Sequence, residues 1–558
     1  MSNPRAVFLI LLCFWLLPCF GLGALDFYDD TPAKELSKSI ADAMSDEELV
    51  GQLMLIGYFG EDPSKEIIEW VDRYEIGGIK IFGWNAGNLL KLGNTVSTLQ
   101  HLSEENRFSI PLFVATDQEG GWVRHVKGDT SVTPGNLAIG ASGIAWDAYK
   151  TGYYIGKELR VLGINMNFAP TVDVYTNPKA DVIGPRAFSS DPVKTAQLSV
   201  AYFHGMQEAG IVCTAKHYPG HGATDKDSHG TLPIIDADFQ TIWDRELVPY
   251  RFLVKEGLPA IMSGHIAYPK ITGTDEPASL SKTLLTGLLR EKIGFQGLII
   301  TDDMQMNGAA VYGGVPAASL QAILAGNDMI MVSRDTDTYR KIRQHILSAM
   351  SQSPETTAVV REAARRVIET KLRYLRGKDA VPLHPDPREI AEQIPDADGS
   401  AFFLSQAHRS VSLIRGETIP LQPQEAGKVL LVGQLDAFLS IGATFFPGAD
   451  SFDYDYSPFF SADPQVIKRL KQRMENYDTV VFCLANPNSA QVLEELKGFA
   501  DRIYVISVLT PIYLKDIPWI ENALAVYGTG RQSIEAGFSA LTGAFQPTGT
   551  VPVSLNTQ

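Results

Sequence analysis

Five clusters of polar side chains, each beyond a short apolar run, hold the residues able to do chemistry in this chain. Asp117-Gln118-Glu119-Gly120-Gly121 follows the run ending at Thr116, and Val182 to Phe188, with Arg186, lies beyond the run ending at Phe168. Lys216-His217-Tyr218-Pro219-Gly220-His221-Gly222 follows Ala215 and continues to Asp227-Ser228-His229. Ser263-Gly264-His265 follows Met262, and Asp302-Asp303-Met304 follows Thr301. Asp, Lys, His and Arg gathered on one rim suit a neutral polyhydroxylated ligand, because every hydroxyl needs both donors and acceptors. Neighbouring residues at a strand end point different ways. Of the Asp302-Asp303 pair, one is therefore expected to be catalytic and the other structural. His217, His221 and His229 could in principle hold a metal, but no zinc-type spacing accompanies them. No metal and no cofactor is expected.

These clusters need a scaffold that brings strand ends together. The apolar runs are Gly78 to Phe82, Leu112 to Thr116, Ile164 to Phe168, Val212 to Ala215, Ala260 to Ser263, Leu298 to Thr301 and Met329 to Val332. Helical patterns such as Asp147 to Leu162, Pro192 to Ala209 and Leu280 to Lys292 separate most of them. Repeated strand-then-helix units imply a parallel sheet, and this many favour a closed (β/α)8 TIM-type barrel over residues 25–377. The competing doubly wound sheet lacks the glycine-rich phosphate fingerprint after its first strand. Residues 378–400, rich in proline and charge, read as a linker. Beyond it, Lys428 to Val432, Thr479 to Cys483, Arg502 to Ile506 and Ala523 to Tyr527 alternate with helical patterns, which makes residues 401–558 a smaller α/β domain.

Composition limits the partners. The 558 residues are 45% hydrophobic and 20% charged, enough to bury large cores, and they carry a formal charge of −16. That charge argues against nucleic acid and anionic lipid, which reward clustered Lys and Arg. The oligomeric state is left open. Arg5, the apolar run Ala6 to Leu22, the small Gly21, Gly23 and Ala24, and then Asp26 read as an export signal over residues 1–24. The expected location is periplasmic or extracellular. A membrane tie would come only from an uncleaved signal or a lipid on Cys19, which Pro18 disfavours. Cys213 and Cys483 lie in apolar runs and read as buried small hydrophobes.

The Lys216 to Gly222 run, Asp227-Ser228-His229 at fixed spacing, and Thr301-Asp302-Asp303-Met304-Gln305-Met306 together resemble the bacterial β-N-acetylglucosaminidase branch of glycoside hydrolase family 3. Gly51-Gln52-Leu53-Met54, Gly77 to Phe82, Asp117 to Gly121, Asn167-Phe168-Ala169-Pro170 with Asp173, and Ala325-Gly326-Asn327-Asp328 follow the family's order. Tyr527-Gly528 through Ala536 and the closing Pro547 to Val553 resemble its C-terminal α/β sandwich.

The resemblance implies an exo-acting, retaining enzyme that releases terminal N-acetylglucosamine from peptidoglycan fragments or chitooligosaccharides, a small carbohydrate substrate. Retention needs a carboxylate nucleophile and a second group that gives, then takes, a proton. Asp302 matches the nucleophile, His229 the acid/base and Asp227 its orienting partner. Asp117, Lys216, His217 and Arg186 match positions that grip sugar hydroxyls; His221, His265 and Met306 are weaker candidates that read more as loop packing or support than as direct ligands. The branch usually carries a second Arg after its Gly-Gly pair. Here Trp122-Val123-Arg124-His125 shifts it, so either Arg124 swings in or His125 substitutes, and Trp122 could widen a stacking surface. Ala223 stands where an acidic residue is common. The alternatives are a phosphorylase, because a neutral His does not repel phosphate as a carboxylate would, a β-glucosidase of the same family, and a noncatalytic sugar binder, which the presence of Asp302 and His229 argues against.

Overall fold

A computed structural model describes residues 25–228, 230–310, 313–455 and 461–555. The export signal and Cys19 lie outside the described residues, as does His229.

The first domain is a closed barrel of eight parallel strands, paired in sequence order. These are β1 (Met54–Gly57), β2 (Gly78–Ile81), β3 (Phe113–Thr116), β4 (Met166–Asn167), β5 (Val212–Tyr218), β6 (Ala260–Ser263), β7 (Leu298–Asp303) and β8 (Met329–Val332). Seven match the apolar runs. The sequence reading gives no strand at β1, because Leu49-Val50 and Leu53 to Ile56 form one apolar stretch that continues the helix Asp46–Gln52, and periodicity cannot split such a run. Local chemistry sets the helix starts. Asp191 accepts from the Val193 and Lys194 N–H groups with Pro192 at the first helical position, and Ser45 and Glu48 form a reciprocal capping box.

The second domain is a six-stranded sheet, ordered β9-β14-β13-β12-β10-β11. Its strands are β9 (Ser412–Gly416), β10 (Val429–Gly433), β11 (Asp450–Asp453), β12 (Thr479–Leu484), β13 (Ile503–Ser507) and β14 (Asn522–Ala525). Only β9 runs antiparallel to its neighbour. Separate apolar cores cover its two faces, one around Phe438 and Phe538 and the other around Leu470 and Leu493. Cys213 and Cys483 are buried free thiols.

Residues 378–400 are more ordered than a linker. They carry the helix Pro387–Gln393, whose Ile390 packs over Gly93, and Arg160 holds the Asp379 and Ala380 carbonyls at 2.8 Å. The two domains also share a small apolar core in which Leu137, Tyr175, Ile183 and Ala187 meet Ile512, Tyr527 and Val553. Ser189 Oγ donates to the Pro552 carbonyl at 2.8 Å beside it. The second domain thus braces the turn Gly184–Arg186 from behind.

Candidate active site

Side chains alternate along a strand, and at the carboxyl ends of parallel barrel strands the inward ones meet. Here they form a cavity of about 500 Å³. Its polar floor is one connected ion network. Asp117, just past β3, pairs with Lys80 of β2 at 2.6 Å and with Lys216 of β5. Lys216 also reaches Glu119 at 2.5 Å, and Glu119 takes a bidentate grip from Arg186 at 2.9 and 2.8 Å. Arg186 Nη2 lies 3.2 Å from His217 Nε2, and His217 Nδ1 lies 2.7 Å from the buried Asp173. A guanidinium only donates and a carboxylate only accepts, so the His217 ring carries its proton on Nδ1.

The network settles the charges. Burial pushes the Asp117 carboxyl up, but Lys216 and Lys80 outweigh it and hold the group well below its ordinary value. Burial likewise opposes ionisation of Glu119, yet Arg186 and Lys216 bring it down to about 2. Burial lowers Lys216, and Asp117 and Glu119 raise it overall. Lys80, fully buried, is lowered by desolvation despite Asp117. Desolvation and then Lys80 push His125 down to about 4, so its ring is neutral at pH 7.

The adjacent carboxylates of the Asp302-Asp303 pair have different surroundings. Asp303 is tied to its loop by the Ser333 hydroxyl and by the Gln305 N–H at 3.0 Å, and burial raises it. Asp302 faces the cavity and accepts from the Asp303 N–H at 2.8 Å. Burial pushes its carboxyl up, but His217, His265 and that N–H bring it below its ordinary value, which favours the ionised form at the cavity wall. His265 supports this strand end from beneath. Its Nε2 donates to the Asp303 carbonyl at 3.0 Å and its Nδ1 meets Ser279 Oγ at 2.7 Å. Asp227 and Ser228 line the rim, and the Gly230 and Thr231 N–H groups close the turn onto the Asp227 carbonyl at 3.1 Å. His229, expected to supply the acid/base, lies outside the described residues.

Met306 borders the cavity, and so does His125. Arg124 does not meet its expectation. Its guanidinium turns to the Thr130 and Ser131 carbonyls at 3.2 and 3.4 Å, because neighbouring residues of the ribbon Gln118–Gly120 with Val123–Arg124 face opposite ways and position 125 points inward. His125 Nδ1 instead lies 3.3 Å from Lys80 Nζ. Trp122 is exposed and borders no part of the cavity.

The sequence reading missed Lys80 and Glu119 as site residues. It also missed an aromatic ladder at the mouth, in which Phe82 stacks on Trp84 at 4.5 Å and Trp84 on Phe59 at 5.3 Å. Asn85 fixes the ladder by bridging the Phe82 N–H and the Tyr58 and Gly60 carbonyls. The available signal was Lys80 itself, since a lysine inside an otherwise apolar strand is rarely buried without a partner.

Comparison with known proteins agrees with this geometry. Residues 45–370 match the profile described as Glycosyl hydrolase family 3 N terminal domain. Beta-hexosaminidase A of Pseudoalteromonas piscicida is 37% identical over 283 residues, 48% of this chain and 47% of that protein, so the chain spans about half of that relative's length. A beta-hexosaminidase of Tolumonas auensis is 38% identical over 259 residues, covering 46% of this chain and 75% of the relative. The structure of a family 3 beta-N-acetylglucosaminidase from Paenibacillus sp. str. FPU-7 superposes with a TM-score of 0.83 at 27% identity, over 92% of this chain and all of that one. With more than half its length matched by the family profile and its charged cavity at the carboxyl ends of the barrel strands, this chain belongs to glycosyl hydrolase family 3.

Proposed function

We propose that the chain is an exo-acting, retaining β-N-acetylglucosaminidase, exported from the cytoplasm, that removes terminal N-acetylglucosamine from peptidoglycan fragments or chitooligosaccharides. One observation carries the reading: of two adjacent carboxylates at the end of β7, Asp303 is tied into its loop while Asp302 stays ionised at the cavity wall. The N-acetyl preference is supported by what the relatives above are called. Export is supported by the order of charged, apolar, small and acidic residues at the start of the chain.

The proposed reaction uses these residues in two displacements. Lys216, Asp117 and Arg186 hold the sugar hydroxyls as preformed charged donors and acceptors, so little reorganisation is needed on binding. An Asp302 oxygen attacks the anomeric carbon as the glycosidic C–O bond breaks, and the imidazolium of His229 protonates the departing oxygen. The same imidazole then takes a proton from water, which attacks the anomeric carbon and releases Asp302. Asp227, two residues before it, orients the ring.

The test is turnover of a chromogenic β-N-acetylglucosaminide beside the matching β-glucoside, followed by peptide mapping of a trapped fluorosugar adduct. The expected result is N-acetylglucosaminide cleavage, its loss in Asp302→Ala, and the label on Asp302. A label elsewhere, or preference for the glucoside, overturns the proposal.

A further inference from the structure

On the opposite face of the barrel from the cavity, two histidines and a glutamate converge. His101 and Glu104 lie at the end of the helix Leu89–Glu104, which connects β2 to β3 and so finishes where the strands begin. They are three residues apart and share a helix face. The third member, His384, comes from the connector after the barrel, 280 residues beyond Glu104. One side-chain nitrogen or oxygen from each of the three lies within 4.8 Å of the others. The edge of a tetrahedral zinc site with bonds near 2.0–2.1 Å is about 3.3 Å, within reach of small side-chain rotations.

The surroundings resemble the outer shell of a metal site more than chance proximity of surface charges. His384 Nδ1 lies 3.0 Å from Ser97 Oγ, which holds the ring in place; because a carboxylate only accepts, Nε2 carries the ring proton toward Glu104, the proton that a bound zinc would replace. That Nε2 faces Glu104 Oε2 at 2.8 Å. The other oxygen of Glu104 accepts from the Tyr28 hydroxyl at 2.8 Å, which fixes the carboxylate plane. The His101 and His384 rings stand 5.7 Å apart at 73°, edge to face, so both can turn a nitrogen toward one point. Imidazole and carboxylate donors in this number suit a borderline divalent cation rather than magnesium or calcium, which prefer all-oxygen shells.

We propose that His101, Glu104 and His384 form a zinc site on the surface, completed by water, that ties the start of the connector to the base of the barrel, with Tyr28 bonded to its carboxylate ligand. The site lies at the face where barrel residues serve stability rather than catalysis, and no step of the reaction runs through it.

The test titrates zinc alone into the full-length chain, stripped with a chelator, at pH 7.5, by calorimetry. Histidines of the active-site cavity can also take zinc, so the readout is the difference between wild type and His101→Ala or His384→Gln. These exposed substitutions are checked for folding by circular dichroism. The expected result is one zinc fewer per chain in each variant, a rise in the melting midpoint with zinc only in wild type, and about tenfold weaker binding in Ser97→Ala. Equal stoichiometry and affinity in wild type and both variants overturns the proposal, whatever the glycosidase activity of the preparation.

Discussion

Glu119→Gln probes what the ion network does, because it keeps the shape of the side chain while removing its charge and turning one of the two oxygens that accept from Arg186 and Lys216 into a donor. The wild-type carboxyl is brought from an ordinary 4.5 to about 2 by Arg186 and Lys216 acting against burial. At about 1.36 kcal/mol per pH unit, that difference contributes roughly 3 kcal/mol to folding at pH 7. The carboxyl is depressed in the folded state, so its contribution is fully present above pH 4.5 and is lost as the pH falls through about 2. At pH 3 less than half of it remains. Urea unfolding of the barrel transition should place Glu119→Gln about 3 kcal/mol below wild type at pH 7, with the gap closing toward pH 3. Arg186 and Lys216 also lose their common anchor, so KM for the chromogenic substrate should rise with kcat less affected. A variant equal to wild type in both stability and KM, or a gap that widens on acidification, would refute the network as an electrostatic scaffold.

Four further outcomes can be checked with the same assays. Asp303→Asn loosens the loop held by Ser333 and Gln305, and should lower stability while retaining measurable turnover, in contrast to Asp302→Ala, whose rate should fall by several orders of magnitude. His229→Ala should keep much of its rate on substrates with good leaving groups and lose it on poor ones, because the former need little protonation; equal loss on both counts against the acid role. His125→Ala should raise KM, whereas Arg124→Ala should leave KM unchanged and only weaken the turn at Thr130 and Ser131, as side-by-side kinetics and melts will show. Trp84→Ala should reduce kcat/KM about tenfold for a chitooligosaccharide and leave the methyl glycoside unaffected, if the ladder at the cavity mouth takes the sugars beyond the one cleaved; identical loss on both substrates would refute that.

Much of the scaffold is written locally. The apolar runs and the helix starts capped by Asp191 or Ser45 depend on neighbours a few residues away, so they can be read along the chain. Strand-end placement also singled out Asp117, Lys216 and Asp302, because a parallel barrel gathers that end of every strand. That the Asp302 and Asp303 side chains meet different surroundings was also legible, since adjacent residues at a strand end point different ways. β1 was not, since a helix and a strand joined without a turn share one apolar stretch.

What only tertiary structure decided is which charges share a neighbour. Lys80 became part of the site because barrel closure sets β2 beside β3, and Asp117 compensates its buried amine. The choice between Arg124 and His125 turned on the hand of a two-residue ribbon, and the bracing of Arg186 on a second domain whose Tyr527 and Val553 lie far along the chain. His384 meets Glu104 across 280 residues. The sequence by itself determined the periods, the caps and the inventory of reactive groups; the closure of the barrel and the docking of the second domain determined their partners, because electrostatic interaction depends on distance through space rather than along the chain.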